Sequence, residues 1–206
     1  MTIASRVEII DITDGGGYEE YLYRCMTGYP PRRYRRRVEY FKDAIPKGFH
    51  KKLLIFNDEV VGQIEYSPPE ASYYPITGDN IVVMNCIWVL RRVKGHNLGK
   101  KLSEDMIRSE EDADGFATVA LESHWSPWFR KRQIEKLGFK SLDSIEVAHK
   151  TKYKGRVFDI HLMWMPTSEN AKQPKWNKQR LLEGVTFCMA HPLYRPQTYE
   201  GKQILE

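Results

Sequence analysis

The chain has 206 residues, 41% hydrophobic and 29% charged, with a net charge of +5. Those proportions provide for a buried core and exclude a disordered polyelectrolyte, and the length suits one full domain plus an appendage. The longest nearly apolar run, Ile81–Leu90, is interrupted by Asn85 and is about half the 20 residues a membrane-spanning helix needs. The N-terminus alternates polar and apolar residues and lacks the basic and apolar regions of a secretory leader, so a cytoplasmic protein with no membrane association is expected. Cys25, Cys86 and Cys188 form no Cys-x-x-Cys pair, which fits reduced thiols rather than a disulfide framework.

Taken in order, Arg6–Ile12 alternates as a strand does, and Thr13–Gly17 breaks it. A helix is expected from Tyr18 to about Thr27, then the basic run Pro30–Arg37, then a second helix over Val38–Ile45 stopped by Pro46. Leu53–Phe56 and Val60–Tyr66 flank the polar turn Asn57–Glu59 and read as a hairpin. Ser67–Asp79, with three prolines, is a loop. Ile81–Leu90 has the near-continuous apolar character of a strand buried on both faces. Leu98, Leu102, Met106 and Ile107 recur at helical spacing, ending near Gly115. Thr118–Leu121 is a further buried strand, and Trp128–Leu137 a short helix closed by Gly138. Ile145–Lys150 and Val157–Met165 form a last antiparallel pair. After Pro166 the composition turns polar, as in a linker, before the apolar segment Gly184–Pro196. The expectation is an α+β (mixed α/β) fold with helices around a central sheet. It comprises a domain over 1–166 and an extension over 167–206 docked on the domain or on a second subunit.

Lys94–Lys101 (KGHNLGKK) lies between a buried strand and a helix. That position presents unpaired backbone N–H groups and the positive end of a helix dipole. Gly95 and Gly99 remove side chains where a ligand must come close, Asn97 tolerates the left-handed conformation, and Lys94, Lys100 and Lys101 add charge. The pattern suits a phosphate or diphosphate, though it is neither a Walker loop nor the dinucleotide fingerprint. A bend that needs glycines only to turn is the competing reading.

Val89–Lys101 resembles the acetyl-CoA motif of the GCN5-related N-acetyltransferases (GNAT): a valine, four loop residues, Arg/Gln-x-x-Gly-x-Gly/Ala, then a helix. Here Lys94 stands at the Arg/Gln position, Asn97 at the first glycine and Gly99 at the second. Downstream, Ile134–Phe139 (IEKLGF) resembles the family's Tyr-Glu-Lys-x-Gly-Phe. The resemblance implies a GNAT-like mixed, mostly antiparallel sheet flanked by helices. It implies transfer of an acetyl group from acetyl-CoA, as cosubstrate, to an amine by direct attack, the acceptor being a small molecule or a peptide. Main chain around Ile87, Trp88 and Val89 would bond the pantetheine arm. Lys94, Gly95, His96, Asn97, Leu98, Gly99 and Lys100 would hold the diphosphate.

The position of the family's tyrosine, which often protonates the departing thiolate, is Ile134. A thiol with a pKa near 8.5 leaves tolerably without an acid. An attacking amine needs a base; Glu122 and His124, just past Thr118–Leu121, are the candidates, with His124 titrating in the useful range. A loop histidine packed on Trp125 or Trp128 is the plainer reading of His124. Glu65 is a further candidate base, or a glutamate on an exposed strand face. Cys86 reads as core, and six histidines without an i, i+4 pair or Cys/His cluster suggest no metal site. The run Arg32, Arg33, Arg35, Arg36, Arg37 could grip phosphates or line a solvated turn. A CoA-binding domain without turnover, and a nucleic-acid-binding module built on Arg32–Arg37, are the alternatives, nucleic acid being the weaker.

Overall fold

The computed structural model describes residues 6–26, 32–33, 35–125, 128–150, 155–183, 185 and 205. Its centre is a seven-stranded sheet. In chain order the strands are β1 (Val7–Asp11), β4 (His50–Phe56), β5 (Glu59–Ser67), β7 (Ile81–Val89), β8 (Gly115–Glu122), β9 (Lys140–Ala148) and β10 (Val157–Pro166). The spatial order is β1-β4-β5-β7-β8-β10-β9. Every neighbouring pair is antiparallel except β7 and β8. The short strand pairs β2 (Arg24–Cys25) with β3 (Arg32–Arg33), and β6 (Ile76–Thr77) with β11 (Lys175–Trp176), lie outside it.

The sheet forms where apolar and β-branched residues run together. The β4–β5 hairpin closes through Asn57 and Asp58, both at positive φ (49° and 65°), the conformation a tight hairpin turn demands and these two residues tolerate. Ile81–Asn85 and Cys86 are buried, as expected for a strand covered on both faces. The two coverings differ. The helix α2 (Arg35–Ala44) packs on one face, where Phe41 joins Leu53, Phe49 and Ile12 in a small apolar cluster. The helix α3 (Leu98–Ser109) packs on the other, inserting Leu98, Leu102 and Met106 into the main core.

The expected loop Ser67–Asp79 holds β6, the strand expected from Ile145 begins at Lys140, and three further stretches depart from the sequence reading. The helix expected over Tyr18–Thr27 is only α1 (Glu19–Leu22). The carbonyls of Tyr21, Leu22 and Arg24 accept from the buried Lys51 ammonium at 2.8, 3.3 and 2.7 Å, so the chain leaves the helix to satisfy that cation. The helix expected over Trp128–Leu137 is confined to α4 (Lys131–Glu135), because Phe129 and Arg130 instead run beside β8: Leu121 donates its amide to the Phe129 carbonyl at 2.7 Å and bridges Arg130. The polar stretch after Pro166, expected to be a linker, holds β11 and the helix α5 (Lys178–Leu182). It is pinned by Trp176 and Lys178, which donate to Asp143 on β9, and by the fully buried Leu181. Most of Gly184–Pro196 lies outside the described residues. Among the described residues no helix is long and apolar enough to cross a membrane.

Candidate active site

The parallel pairing of β7 with β8 lasts for three residues, Ile81, Val82 and Val83 opposite Gly115, Phe116 and Ala117. Beyond them the strands part. Thr118 donates its hydroxyl to the Met84 carbonyl at 2.7 Å, a last link where the next ladder bond would have been. One residue on, the β5–β7 register skips Asn85, with Met84 opposite Tyr66 and Cys86 opposite Glu65. This bulge bends β7 away from β8. The Asn85 side chain holds the bulge by donating to Ser67 Oγ (2.9 Å) and the Val83 carbonyl (3.1 Å) while accepting from Ser72 Oγ (2.8 Å).

From this fork β7 runs on to Val89 paired on one side only. Leu90, just past the end of β7, donates its amide to the Val61 carbonyl of β5 at 2.8 Å. Since a strand's amides and carbonyls alternate between its two edges, those of Val89 and Ile87 face the open edge. The chain then turns through Arg91–Val93 into α3. Gly95 takes φ +99° with nothing within 4 Å of where a Cβ would lie, Asn97 takes the left-handed conformation at φ 54°, and Gly99 likewise has open space beside it. Lys94 bonds back to Arg91, and Lys101 makes the first helical bond to Asn97 at 3.2 Å. Between them the amides of Gly95, His96, Asn97, Leu98, Gly99 and Lys100 have no partner among the described residues. Leu98 is buried and fixes the helix start in the core, while Lys94, Gly95, His96, Asn97 and Lys100 are exposed. Lys100 shares its charge only with Glu104 at 3.6 Å, and His96 leans on Phe56. Six free donors at a positive helix end make a built anion cradle. A separate cavity of about 560 Å³, lined by His50, Glu70, Glu110, Glu111 and Asp112 among others, sits at the opposite, negative end of α3 and repels such a ligand.

Glu122 and His124 do not form one constellation. Glu122 ends β8 opposite Asp159 on β10, on the sheet face that carries Thr118, Ala120 and His161. Its carboxylate lies 3.0 Å from Lys131 Nζ, and that ammonium keeps its pKa below the usual range. His124 follows Ser123, whose φ of 60° breaks the strand. It packs on the opposite face, with ring centroids 4.0 Å from Trp125 and 4.6 Å from Phe158. Burial, with His149 and Arg130 nearby, pushes its pKa down to about 4, so it is a neutral imidazole at pH 7.

Ile134, at the family's tyrosine position, is buried and carries no polar atom. Glu65 is not an exposed strand glutamate. It is fully buried, bound by the equally buried Arg37 of α2, with Lys51 Nζ at 3.4 Å and Gln63 Nε2 at 2.9 Å. Arg37 is thereby removed from any phosphate-gripping surface. The side chains of Arg32, Arg33, Arg35 and Arg36 lie outside the described residues. Burial and Arg37 push the Lys51 pKa down to about 8, against the pull of Glu65. Cys25 and Cys86 are buried, and Gln63 Nε2 lies 3.5 Å from Cys86 Sγ. Sequence reasoning passed over Gln63 and gave Trp88 only a main-chain role on the pantetheine arm; the two are cross-strand neighbours on the α2 face, and their Oε1 and Nε1 atoms are buried without a hydrogen bond among the described residues. The signal was the pair Gln63 and Glu65, two polar residues at i, i+2 on one face of the strand Val60–Tyr66.

Neither a protein-family model nor a curated protein matches the sequence. Solved structures do match. One is described as a GNAT-family acetyltransferase from Desulfovibrio desulfuricans, 14% identical, covering 79% of this chain and 100% of that one with a TM-score of 0.55. Another is Naa50 from Arabidopsis thaliana in complex with a bisubstrate analogue of CoA, 17% identical, covering 77% and 97% with a TM-score of 0.51. A third is a Bacillus subtilis acetyltransferase in complex with CoA, 16% identical, covering 80% and 100% with a TM-score of 0.50. What these identities establish is the architecture: this chain has the fold of the GCN5-related N-acetyltransferases.

Proposed function

We propose that the chain is an N-acetyltransferase that uses acetyl-CoA as cosubstrate. The observation that carries this reading is the row of unpaired amides from Gly95 to Lys100, continuous with the open edge of β7. The diphosphate of CoA sits on those amides, and its amide-bearing pantetheine arm pairs with Ile87 and Val89 as a strand would. The cofactor enters from the α3 face, and its thioester reaches the fork beside Met84 and Thr118. The acceptor amine then comes from the α2 face. Its nitrogen attacks the thioester carbonyl, the C–S bond breaks, and CoA leaves as a thiolate.

His124 is the proton acceptor we assign from its place on the acceptor face; burial keeps it neutral at pH 7 and, with a pKa of about 4, makes it a weak base. Ile134 supplies no acid, and the low basicity of a thiolate (pKa about 8.5) makes unassisted departure workable. Naa50 is described with a peptide joined to CoA; a peptide amine or a small amine is the acceptor class here. The absence of any Cys-x-x-Cys pair in the sequence supports a reducing, cytoplasmic setting. The aliphatic residue at 134 favours a second reading, CoA binding without turnover.

Calorimetry with acetyl-CoA, paired with release of free CoA thiol across a panel of amines, separates these readings. Saturable binding with thiol release for one class of amine is the expected result. No binding at millimolar acetyl-CoA overturns the assignment, and binding without product from any amine transfers it to the second reading.

A further inference from the structure

On the α3 face of the sheet, past the fork, Glu122 of β8 stands opposite Asp159 of β10. His161 is two residues further along β10 and so on the same face. One ligand atom from each lies within 4.8 Å of the others. His161 is only 6% exposed. Its Nδ1 lies 2.9 Å from Ser141 Oγ on β9, which fixes the ring. Its Nε2 faces Glu122 Oε2 from 3.0 Å, off the line of a well-aligned hydrogen bond. A nearly buried imidazole that faces two carboxylates with one nitrogen, its other nitrogen held by Ser141, is placed to share a cation with them.

We propose that Glu122, Asp159 and His161 bind a divalent transition-metal ion of the zinc type. One imidazole and two carboxylates are the mixed nitrogen and oxygen set that zinc accepts, whereas magnesium and calcium prefer oxygen alone. Ligand atoms in a tetrahedral site lie about 3.3 Å apart for bonds near 2.0 Å, so ligand atoms that already lie within 4.8 Å of one another need to close by no more than about 1.5 Å. Ser141 is the outer partner that orients the ligating imidazole. Three protein ligands leave a fourth position for water. Lys131, 3.0 Å from Glu122 Oε2, is the resident cation that the metal displaces. The site lies on the cofactor side of the sheet, away from His124, and does not depend on acetyl transfer.

The test uses the full chain, stripped with a chelator and titrated with zinc chloride alone by calorimetry, with circular dichroism to verify the fold of each variant. We expect one equivalent to bind. His161→Asn and Asp159→Asn weaken it tenfold or more, and Ser141→Ala weakens it by roughly tenfold. Lys131→Ala tightens it by removing the competing ammonium. Nitrogen NMR supplies a readout that survives a poorly folded variant: zinc shifts the Nε2 resonance of His161 in the unmodified chain while Nδ1 keeps its hydrogen-bonded position. No binding by the unmodified chain, equal affinity in His161→Asn, or an unmoved His161 resonance each overturns the proposal.

Discussion

Gly99 separates the cofactor cradle from the stability of the fold. It is the second residue of α3, and a Cβ there meets nothing within 4 Å. Replacing a helical glycine by alanine contributes about 0.5–1 kcal/mol of stability. In a domain of this size that raises Tm by about 2–4 °C per kcal/mol. The same methyl stands beside the six free amides, in the space a diphosphate must enter. Gly99→Asp makes the contrast sharper, because a carboxylate in the first turn of a helix is stabilising by about 0.3–1 kcal/mol. Set roughly 5 Å from a bound phosphate charge at an effective dielectric near 20, that carboxylate costs about 3 kcal/mol of binding, more than a hundredfold in Kd. Thermal melts and acetyl-CoA calorimetry on the two variants should therefore move in opposite directions, with stability unchanged or raised and affinity lowered. Acetyl-CoA affinity equal to that of the unmodified chain in Gly99→Asp would refute a diphosphate on the amides of Gly95–Lys100.

Two further predictions concern the buried polar groups. Glu65→Gln leaves Arg37 and Lys51 buried without their counter-charge and should cost about 3–5 kcal/mol in urea unfolding; a loss below about 1 kcal/mol would mean the cluster carries no net charge pairing. His124 contributes a pH dependence of definite sign. Its pKa is about 4 in the fold against 6.5 when unfolded, so acid protonates the unfolded chain first and stability falls as pH drops from 6.5 towards 4. His149 and His161 are shifted the same way by burial, so the informative quantity is the stability of the unmodified chain relative to His124→Phe, which should fall as pH drops from 6.5 towards 4. Parallel curves would show that His124 is not held neutral.

The parts of the fold written in local chemistry were the legible ones. Strand-loop-helix order, the glycines at 95 and 99 and the left-handed Asn97 all follow from the residues themselves, because an anion-binding turn is specified over eight positions of chain. What escaped was set by distant partners. The arginine run reads as a solvated surface until Glu65, 28 residues away, draws Arg37 to full burial. The first helix reads as longer until the Lys51 ammonium claims its carbonyls. Glu122 and His124 are two apart and would share a face if β8 continued, but the positive φ of Ser123 sends them to opposite faces. Asp159 and His161 carry the same i, i+2 spacing on an unbroken strand, and there the alternation holds.

The fork between β7 and β8 shows how the fold prepares one surface while protecting another. Parting two strands inside a sheet exposes backbone groups that otherwise cost free energy when buried. At the apex this chain satisfies them internally: Thr118 serves the Met84 carbonyl, and Asn85 serves the Val83 carbonyl while absorbing the bulge. Past the apex the compensation stops. The main chain of Ile87 and Val89 and the amides from Gly95 to Lys100 are left along one line, strand edge first and helix end after. The CoA we propose for this site answers to both, since it is extended, carries peptide-like amides in its middle and ends in a diphosphate. A free inorganic phosphate would answer to the helix end alone, and a peptide to the strand edge alone. The selectivity of the site therefore resides in the join between the two, at Leu90–Lys94, where the chain passes from one kind of donor to the other.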